Sequence, residues 1–238
     1  LKDLLQSHHF QFFDWNPVTQ IPSNKKPGFG GSAAACVASC AAAEISLNTA
    51  YEIHKSVQGS GSGIDIAAAI HGGVIRFKQT KLLPQIERVD LLKDHTPIII
   101  WSGEAAKTGP RVEQYLSWNK RSAFVHQTEK LTEQFLDDPI CTIRQLHKLL
   151  CAMAKEAGIQ YMTQKMLDIV NIAEGLGGAA KASGAGGGDC MIACMPPSKQ
   201  NEFIRKLQES GHNHIRYNIA NGVRELTKNM PPTETSIL

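Results

Sequence analysis

One segment, KASGAGGGDC at residues 181–190, constrains the fold of this chain more than any other. Four of the five residues from 184 to 188 are glycine, which costs conformational entropy on folding. The gain is a backbone that can approach a bound group closely and whose N–H groups can converge on an anion. We therefore predict a ligand-binding loop here, with a glycine-rich turn as the alternative.

The flanking residues predict the elements on either side of this loop. Apolar residues recur at helical spacing through residues 162–176, and Gly177 ends the pattern. After the loop, residues 190–194 form a short apolar run bounded by Asp189 and Pro196, which is typical of a buried strand. The predicted order is helix, glycine loop, strand.

Two further glycine loops precede this one. PGFGGSAA at residues 27–34 opens an Ala-rich helix predicted to reach residue 47, and free N–H groups at such a helix start favour phosphate. GSGSGID at residues 59–65 leads into a short helix, predicted at 64–71, in which Asp65 is either functional or a helix cap. A dinucleotide-binding fingerprint needs an apolar strand directly before its first glycine, but Ser-Asn-Lys-Lys-Pro precedes Gly28, so we discount that motif. The Walker pattern is absent from the sequence, which excludes a standard P-loop fold.

The remaining chain predicts a mixture of strands and helices. Strands are predicted at residues 74–77, 86–91, 97–101 and 214–219, a strand or edge segment at 10–15, and helices at about 109–136, 143–157 and 198–211. His212 and His214, at the turn between the last helix and strand, are predicted to be solvated. The predicted fold class is α+β, divided into residues 1–94 with the first loop and residues 95–238.

Composition narrows the function classes. The 238 residues, 42% of them hydrophobic, can form one large domain or two small ones. The net charge is only +3, without a long basic run, and therefore does not indicate nucleic acid. No apolar stretch approaches the roughly 18 residues of a membrane span and the first residues lack a signal-peptide core, so we expect a cytoplasmic protein that does not bind membranes. The six cysteines lack C-x2-C spacing, which favours buried thiols over a zinc site.

Together, the three glycine loops match a phosphoryl-transfer site that does not use a Walker motif. Residues 27–34 resemble the nucleotide-binding motif of the GHMP small-molecule kinases, usually written P-x-x-x-G-L-G-S-S-A-A. Residues 61–65 resemble the segment that carries the catalytic aspartate of that family, and residues 181–190 resemble its third motif. The resemblance implies the two-domain GHMP-kinase fold with the active site in the cleft between the halves, ATP and Mg²⁺ as cofactors, a small-molecule acceptor, and a monomer or homodimer.

The resemblance also implies roles for individual residues. Asp65 matches the catalytic aspartate, and Lys181 is a second catalytic candidate. The residues expected to bind the ATP phosphates are Gly28, Gly30, Gly31, Ser32 and Ala33, of which Ser32 also helps to hold magnesium. Those expected to bind the acceptor and the transferred phosphate are Ser62, Gly63, Ser183, Gly184, Ala185, Gly186, Gly187, Gly188 and Asp189. Lys181 and Asp189 could equally anchor the loop structurally.

Two segments narrow the choice of acceptor substrate. They are GSGIDIAAAIHGG at residues 61–73 and a predicted strand that ends in Trp-Ser-Gly and is followed by Ala and Thr. Both are most similar to the branch of the family that phosphorylates phosphomevalonate. The second pKa of such a phosphate is about 6, so the acceptor is largely ionised at pH 7 and Asp65 would orient groups. The alternatives are a mevalonate kinase, a decarboxylase-like enzyme or a sugar kinase, and for a hydroxyl acceptor Asp65 would be a base. A non-catalytic nucleotide sensor is the alternative from another class.

The chain departs from the family pattern near its start. Only 27 residues precede Gly28, fewer than the first family motif and its strands require, and Gly31 stands where the family has its first serine. We expect the expressed polypeptide to be longer than these 238 residues, with extra sequence before Leu1 and near residue 47.

Overall fold

The structure, a computed structural model, describes residues 28–59, 61–80, 83–91, 96–106 and 108–224. The chain forms two compact units. The first takes its described residues from 29–90 and 217–224, and the second takes them from 91–216 together with Gly28. The segment predicted at residues 10–15 lies outside the described residues, and the predicted domains 1–94 and 95–238 stay a prediction.

Among the described residues of the first unit, three helices pack together: α1 (Gly31–Ala42), α2 (Thr49–Gln58) and α3 (Ile64–His71). Their contact surfaces consist of small and β-branched side chains, which lets the backbones approach closely. The buried residues of this cluster are Ala33, Val37, Cys40, Ala50 and Ile66. The bounds predicted for α3, residues 64–71, are confirmed.

Helix α1 ends five residues before its predicted end at residue 47. Glu44 adopts a left-handed conformation with φ of +53°, and the N–H of Ile45 donates to the carbonyl of Cys40 at 2.9 Å. This is a Schellman-type end, in which glycine is the usual left-handed residue. The predicted end was wrong because the left-handed residue after α1 is a glutamate. The sequence therefore has no glycine there to indicate the end of the helix.

A β-hairpin also belongs to the first unit. Strands β1 (Val74–Lys78) and β2 (Gln85–Val89) pair antiparallel. They fall close to the strands predicted at residues 74–77 and 86–91. The chain returns to this unit near its end, where Asn221 pairs with Gly72. The N–H of Gly73 donates to Ala220 O at 2.7 Å, so the returning segment is bound by backbone hydrogen bonds.

A four-stranded antiparallel sheet forms the centre of the second unit. Its strands are β3 (Ile98–Trp101), β4 (Ala179–Ala182), β5 (Cys190–Cys194) and β6 (Asn213–Ile215), in the order β4-β5-β3-β6. The strands predicted at residues 97–101 and 190–194 are confirmed. Strand β6 is only three residues long, so the strand predicted at 214–219 was too long.

Five helices surround this sheet: α4 (Thr108–Ser117), α5 (Arg121–Glu133), α6 (Pro139–Ala157), α7 (Gln164–Gly175) and α8 (Gln200–Glu209). Helices α6, α7 and α8 pack against the strands, and α4 and α5 pack against α6. Asp138 caps α6 by accepting from Cys141 N at 3.0 Å, and Thr163 caps α7 by accepting from Met166 N at 3.4 Å. The largest fully buried side chains of this core include Ile100, Met166, Ile169, Met191, Phe203 and Leu207.

The single helix predicted at about 109–136 is wrong, because the chain bends between α4 and α5. Trp118 lies at the bend, with its ring centroid 6.5 Å from that of Tyr115 and 6.0 Å from that of Phe124. A straight helix could not bring these three rings into one cluster, since Tyr115 and Phe124, nine residues apart, would point to opposite faces. Packing of the aromatic rings therefore determines the break.

The order helix, glycine loop, strand is also wrong, because β4 lies between α7 and the loop. Strand β4 pairs antiparallel with β5, and Ser183 N donates to Cys190 O at 2.9 Å, so the loop at residues 184–188 connects a hairpin. Strand β4 consists of three alanines and a lysine, which carry neither an apolar run nor β-branched side chains. The sequence pattern therefore contained no signal for it.

His212 is buried, contrary to the prediction that it is solvated. Its backbone N–H donates to Leu207 O at 2.8 Å and so ends α8. Burial lowers the pKa of His212, and the nearby Asp168 acts in the opposite direction. All six cysteines lie among the described residues as thiols, and Cys40, Cys190 and Cys194 are the buried ones.

Candidate active site

The first glycine loop leads directly into helix α1. Gly28 and Gly30 have φ of +78° and +69°, which are left-handed conformations that favour glycine. The carbonyl of Gly30 accepts from Ala33 N at 2.9 Å and begins the helix, whose first turn contains no acidic residue. N–H groups in a first helical turn have no intrahelical partner, so those of Gly31 and Ser32 form a place for an anion.

Asp65, in the first turn of α3, lies against this loop. A Cβ on Gly30 would be 3.4 Å from both the Cβ and the Cγ of Asp65. Asp65 does not cap α3, because its N-cap is Gly63 and Ile64 N donates instead to Ser62 Oγ at 3.3 Å. The fold thus brings the predicted catalytic carboxylate next to the predicted ATP-binding loop within the first unit.

Ser32 is exposed on the first turn of α1, and two side chains of α2 hold it. Its Oγ accepts from Gln58 Nε2 at 2.7 Å and lies 3.4 Å from His54 Nε2. A hydroxyl oxygen has two lone pairs, so the bond from Gln58 is compatible with a second partner. These contacts fix the direction in which the Ser32 hydroxyl points.

The residues around this loop fit a magnesium ion that is bound mainly by nucleotide phosphates. Mg²⁺ typically takes one or two protein oxygens and completes its shell with phosphate and water. Ser32 offers a hydroxyl, and Asp65, against Gly30, offers a carboxylate. In the described ranges, no group of three or more His, Cys, Asp or Glu could hold a metal ion by itself. Bound magnesium would supply positive charge to the transferred phosphoryl group.

Packing alone requires glycine at position 63. It has φ of +79°, and a Cβ there would lie 2.9 Å from Tyr51 Cδ1. The Tyr51 hydroxyl is buried without a hydrogen-bond partner among the described residues, and burial raises its pKa. The acceptor-binding roles of Ser62 and Gly63 stay predictions.

Packing inside the second unit also explains most of the glycine in the third loop. Gly186 and Gly187 have φ of +76° and +72°, and a Cβ would overlap Tyr161 at the first position and Arg111 at the second. Gly187 N donates to Tyr161 O at 2.6 Å. Packing therefore accounts for glycine at these two positions without a ligand, and the predicted phosphate-binding roles of the loop stay predictions.

The end of the same loop is fastened by Asp189, which has a left-handed φ of +53°. Its Oδ1 accepts from Ala106 N at 3.1 Å and its own N–H donates to Glu104 O at 2.7 Å. A Cβ on Gly188 would lie 2.7 Å from Glu104 O. A Cβ on Gly28 would lie 2.7 Å from the Cβ of Asp189. Asp189 thus anchors the backbone after β3, the structural alternative raised for it.

Gly184 differs from the other glycines of the loop. It is exposed, its φ lies outside the left-handed region, and a Cβ there would meet nothing within 4 Å. Ser183 beside it is exposed and Ala185 is half-buried. Since packing does not require glycine at 184, this position is the best candidate for close approach of a ligand to the backbone.

Lys181 lies on β4 and is half-buried. Its Nζ donates to Ala182 O at 2.8 Å, and Cys194 lies on the same face of the sheet. Burial lowers the pKa of Lys181 to about 8, and Cys194 acts in the opposite direction. The lysine is thus held at the sheet edge, and its catalytic role stays a prediction.

Arg111 and Tyr161, both in contact with the third loop, were not predicted from the sequence. Tyr161 looks like an ordinary core residue in the apolar pattern. No motif marked Arg111, which is a single cation in the segment that follows β3.

Comparison with known proteins shows which family this chain resembles. Residues 142–213 match the family model described as GHMP kinases C terminal. A phosphomevalonate kinase from a Streptomyces species is 29% identical over 228 residues, which cover 77% of this chain and 61% of the relative. The chain is similar to GHMP kinases, and residues 142–213 match their C-terminal part.

Other GHMP kinases are similar to a comparable extent. The mevalonate kinase of Thermococcus gammatolerans is 30% identical over 220 residues, which cover 82% of this chain and 63% of the relative. A crystal structure of Streptococcus pneumoniae phosphomevalonate kinase in complex with phosphomevalonate and AMPPNP has a TM-score of 0.63 at 20% identity, and covers 84% of this chain and 70% of that one. The predicted GHMP-kinase α+β fold is thereby confirmed.

The chain spans about three fifths of the length of the curated relatives named above. In the described part of the chain, no helix combines the length and the apolar character needed to cross a membrane.

Proposed function

We propose that this chain belongs to an ATP-dependent kinase that phosphorylates phosphomevalonate to diphosphomevalonate in the mevalonate route to isoprenoids. The observation that carries the proposal is the contact of Asp65 with Gly30, at the start of a helix whose first turn lacks acidic residues. A carboxylate beside a phosphate-binding helix start can hold magnesium or the acceptor in line for transfer. Neither an ordinary helix cap nor a packing contact requires a carboxylate there.

The reaction balances with ATP as the phosphoryl donor. An oxygen of the acceptor phosphate forms a bond to the γ-phosphorus of ATP, and the bond between that phosphorus and the β,γ-bridging oxygen breaks, which releases ADP. The second pKa of the acceptor phosphate is about 6, so most of it is ionised at pH 7 and needs no strong base. Asp65 would then orient magnesium or the acceptor, and Ser32 would supply a metal ligand.

ATP and phosphomevalonate are the preferred ligands because of the relatives. AMPPNP, an ATP analogue, is bound by the Streptococcus kinase of similar fold, and the Streptomyces relative is a phosphomevalonate kinase. A mevalonate kinase is the second candidate, since the Thermococcus relative is as similar to this chain. For that acceptor, Asp65 would take a proton from the attacking hydroxyl.

The test is a panel of acceptors with purified full-length protein, MgATP and coupled detection of ADP. Turnover with phosphomevalonate, and little with mevalonate or galactose, is the expected result. Turnover with mevalonate alone would replace the proposal by a mevalonate kinase. Tight ATP binding without turnover on any acceptor would indicate the non-catalytic nucleotide sensor.

A further inference from the structure

Two side chains of helix α2 contact the same serine of helix α1 within the first unit. Gln58 Nε2 donates to Ser32 Oγ at 2.7 Å, and His54 Nε2 lies 3.4 Å from that oxygen. His54 and Gln58 are four residues apart, so they lie on one face of α2. Together they connect the last turn of α2 to the first turn of α1, directly after the first glycine loop.

These contacts contribute little to the stability of the fold. Ser32 and Gln58 are exposed and His54 is half-buried, and none of the three is among the buried residues of the described core. A hydrogen bond at the surface replaces one with water, so its net contribution to folding is small. Helix α2 ends without them, because the N–H of Gly59 donates to Lys55 O at 2.8 Å. The fold itself therefore does not require an amide and an imidazole at these two positions.

The bonding capacity of a hydroxyl group gives these contacts a chemical role. A hydroxyl oxygen has two lone pairs and carries one proton. Gln58 occupies one lone pair of Ser32 Oγ, and His54 Nε2 can accept the proton when the imidazole carries its own proton on Nδ1. One lone pair then remains for a metal ion. Without the two contacts, the exposed side chain would distribute among three staggered rotamers.

We propose that Gln58 and His54 are positioning residues that hold the Ser32 hydroxyl in the orientation that binds magnesium on the nucleotide. This inference rests on the proposed function and assigns the groups behind one of its metal ligands. Donation of the hydroxyl proton to His54 also makes the oxygen more basic, and hence a stronger ligand. Loss of such a partner typically lowers metal affinity by about 10–100-fold.

The position of Gln58 in the chain links this network to the second magnesium ligand. Gln58 is followed directly by Gly59, the first residue of the second glycine loop, which leads to Asp65. The Asp65 carboxylate lies against Gly30, next to the helix start that carries Ser32. The end of α2 thus holds the hydroxyl ligand and leads within a few residues to the carboxylate ligand.

The test measures magnesium binding through the nucleotide and does not depend on turnover. Dissociation constants of AMPPNP are determined by calorimetry with excess magnesium and with EDTA, and their ratio gives the effect of the metal. Gln58→Met keeps the length of the side chain without the N–H, and His54→Leu removes the ring nitrogens. His54→Gln supplies an amide oxygen that can accept the same proton.

The matched control is Ser56→Ala. Ser56 is exposed on the same helix, and its hydroxyl donates to Ile53 O at 2.8 Å. The variant therefore removes a polar group from α2 without removing a contact to Ser32. Melting temperatures are recorded for every protein.

We expect Gln58→Met and His54→Leu each to lower the magnesium effect at least about fivefold, and to change the constant in EDTA less than about twofold. His54→Gln should recover most of the loss, and Ser56→Ala should match the wild type. An unchanged magnesium effect in Gln58→Met and His54→Leu would overturn the inference. An equal loss in His54→Gln and His54→Leu would overturn the role of His54 as an acceptor.

A double variant determines whether Gln58 acts through Ser32. In the Ser32→Ala background, Gln58→Met should change the magnesium effect less than about twofold, because the oxygen that Gln58 holds is gone. Additive losses would show that Gln58 contacts the metal or the nucleotide itself, and would overturn its positioning role. A wild type that binds AMPPNP equally with and without magnesium would contradict the proposed MgATP site, and this inference with it.

Discussion

Asp65 and Gly30 are packed against each other, with 3.4 Å between the carboxylate-bearing carbon and the place a Cβ would take on the glycine. The two residues come from different loops, 35 positions apart in the sequence. A side chain on Gly30 would press on the aspartate, and its φ of +69° disfavours one in any case. The glycine thus lets the carboxylate reach the start of α1.

Asp65→Asn should lower kcat at least about tenfold, which corresponds to roughly 1.4 kcal/mol of barrier. The amide keeps the size of the side chain but loses the charge that would hold magnesium or orient the acceptor. The melting temperature should stay nearly the same, because Asp65 does not cap α3. Steady-state kinetics and a melting curve on the same preparation measure both quantities.

Glu52→Gln is the matched control for that variant. Glu52 is an exposed carboxylate in the first turn of the neighbouring helix α2. Loss of its charge should leave kcat unchanged. If Asp65→Asn retained full activity, Asp65 would have no part in the reaction.

Ser32→Ala should raise the magnesium concentration needed for half-maximal activity by several-fold. The hydroxyl is proposed as a metal ligand, and its removal takes away one oxygen without creating a cavity, since Ser32 is exposed. The control is Ser39→Ala, two turns further along α1. A magnesium titration of Ser32→Ala that superimposes on that of the wild type would refute the role.

Gly184→Ala should leave the fold intact and lower kcat/KM about tenfold, because only a ligand needs the space at this position. Gly187→Ala should instead lower the melting temperature by several degrees. At residue 187 the backbone is left-handed and a methyl group would overlap Arg111. Full activity of Gly184→Ala would show that the ligand does not approach this backbone.

Lys181→Met should stabilise the protein at pH 7 and lose that advantage as the pH rises. Burial lowers the pKa of Lys181 to about 8 from its ordinary value of 10.5. Below pH 8 the lysine is charged in both states, so the folded state bears the full cost of a buried charge. Between about pH 8 and 10.5 the folded protein releases a proton that the unfolded chain still holds, and this cost is gradually removed.

Melting temperatures of the wild type and Lys181→Met at pH 7, 8.5 and 9.5 measure this effect. Each kcal/mol corresponds to about 2–4 °C for a chain of this size. Lys148→Met, which removes an exposed charge from α6, corrects for the change in net charge. A constant difference between wild type and Lys181→Met over this pH range would contradict the prediction. Loss of turnover at a raised melting temperature would support the catalytic role of Lys181.

The elements marked by apolar periodicity and glycine were predictable from the sequence. Helix α3 and strands β1, β3 and β5 fall close to their predicted positions, since each is bounded by Gly, Pro or Asp. Strand β4 was missed because three alanines and a lysine form a strand only through pairing with β5. The bend at Trp118 was missed because it depends on rings that meet only after folding.

The candidate site divides in the same way. The motifs predicted the start of α1 and the position of Asp65 in the first turn of α3, because both depend on local chain geometry. The sequence could not assign separate causes to the glycines of the third loop: two of them accommodate Tyr161 and Arg111, which lie far away in sequence. It did not identify Arg111 either, since a single cation after a strand has no motif of its own.

The return of the chain to the first unit has a consequence for synthesis on the ribosome. Asn221 pairs with Gly72, and Val223 N donates to Ala69 O at 2.9 Å, so the first unit is bound by residues that are translated about 150 positions later. The second unit, which lies between them in the sequence, can fold as soon as residue 216 has left the exit tunnel. During translation the second unit can therefore complete its fold first. The first unit begins earlier in the chain but forms its last hydrogen bonds only after residues 220–223 have been synthesised.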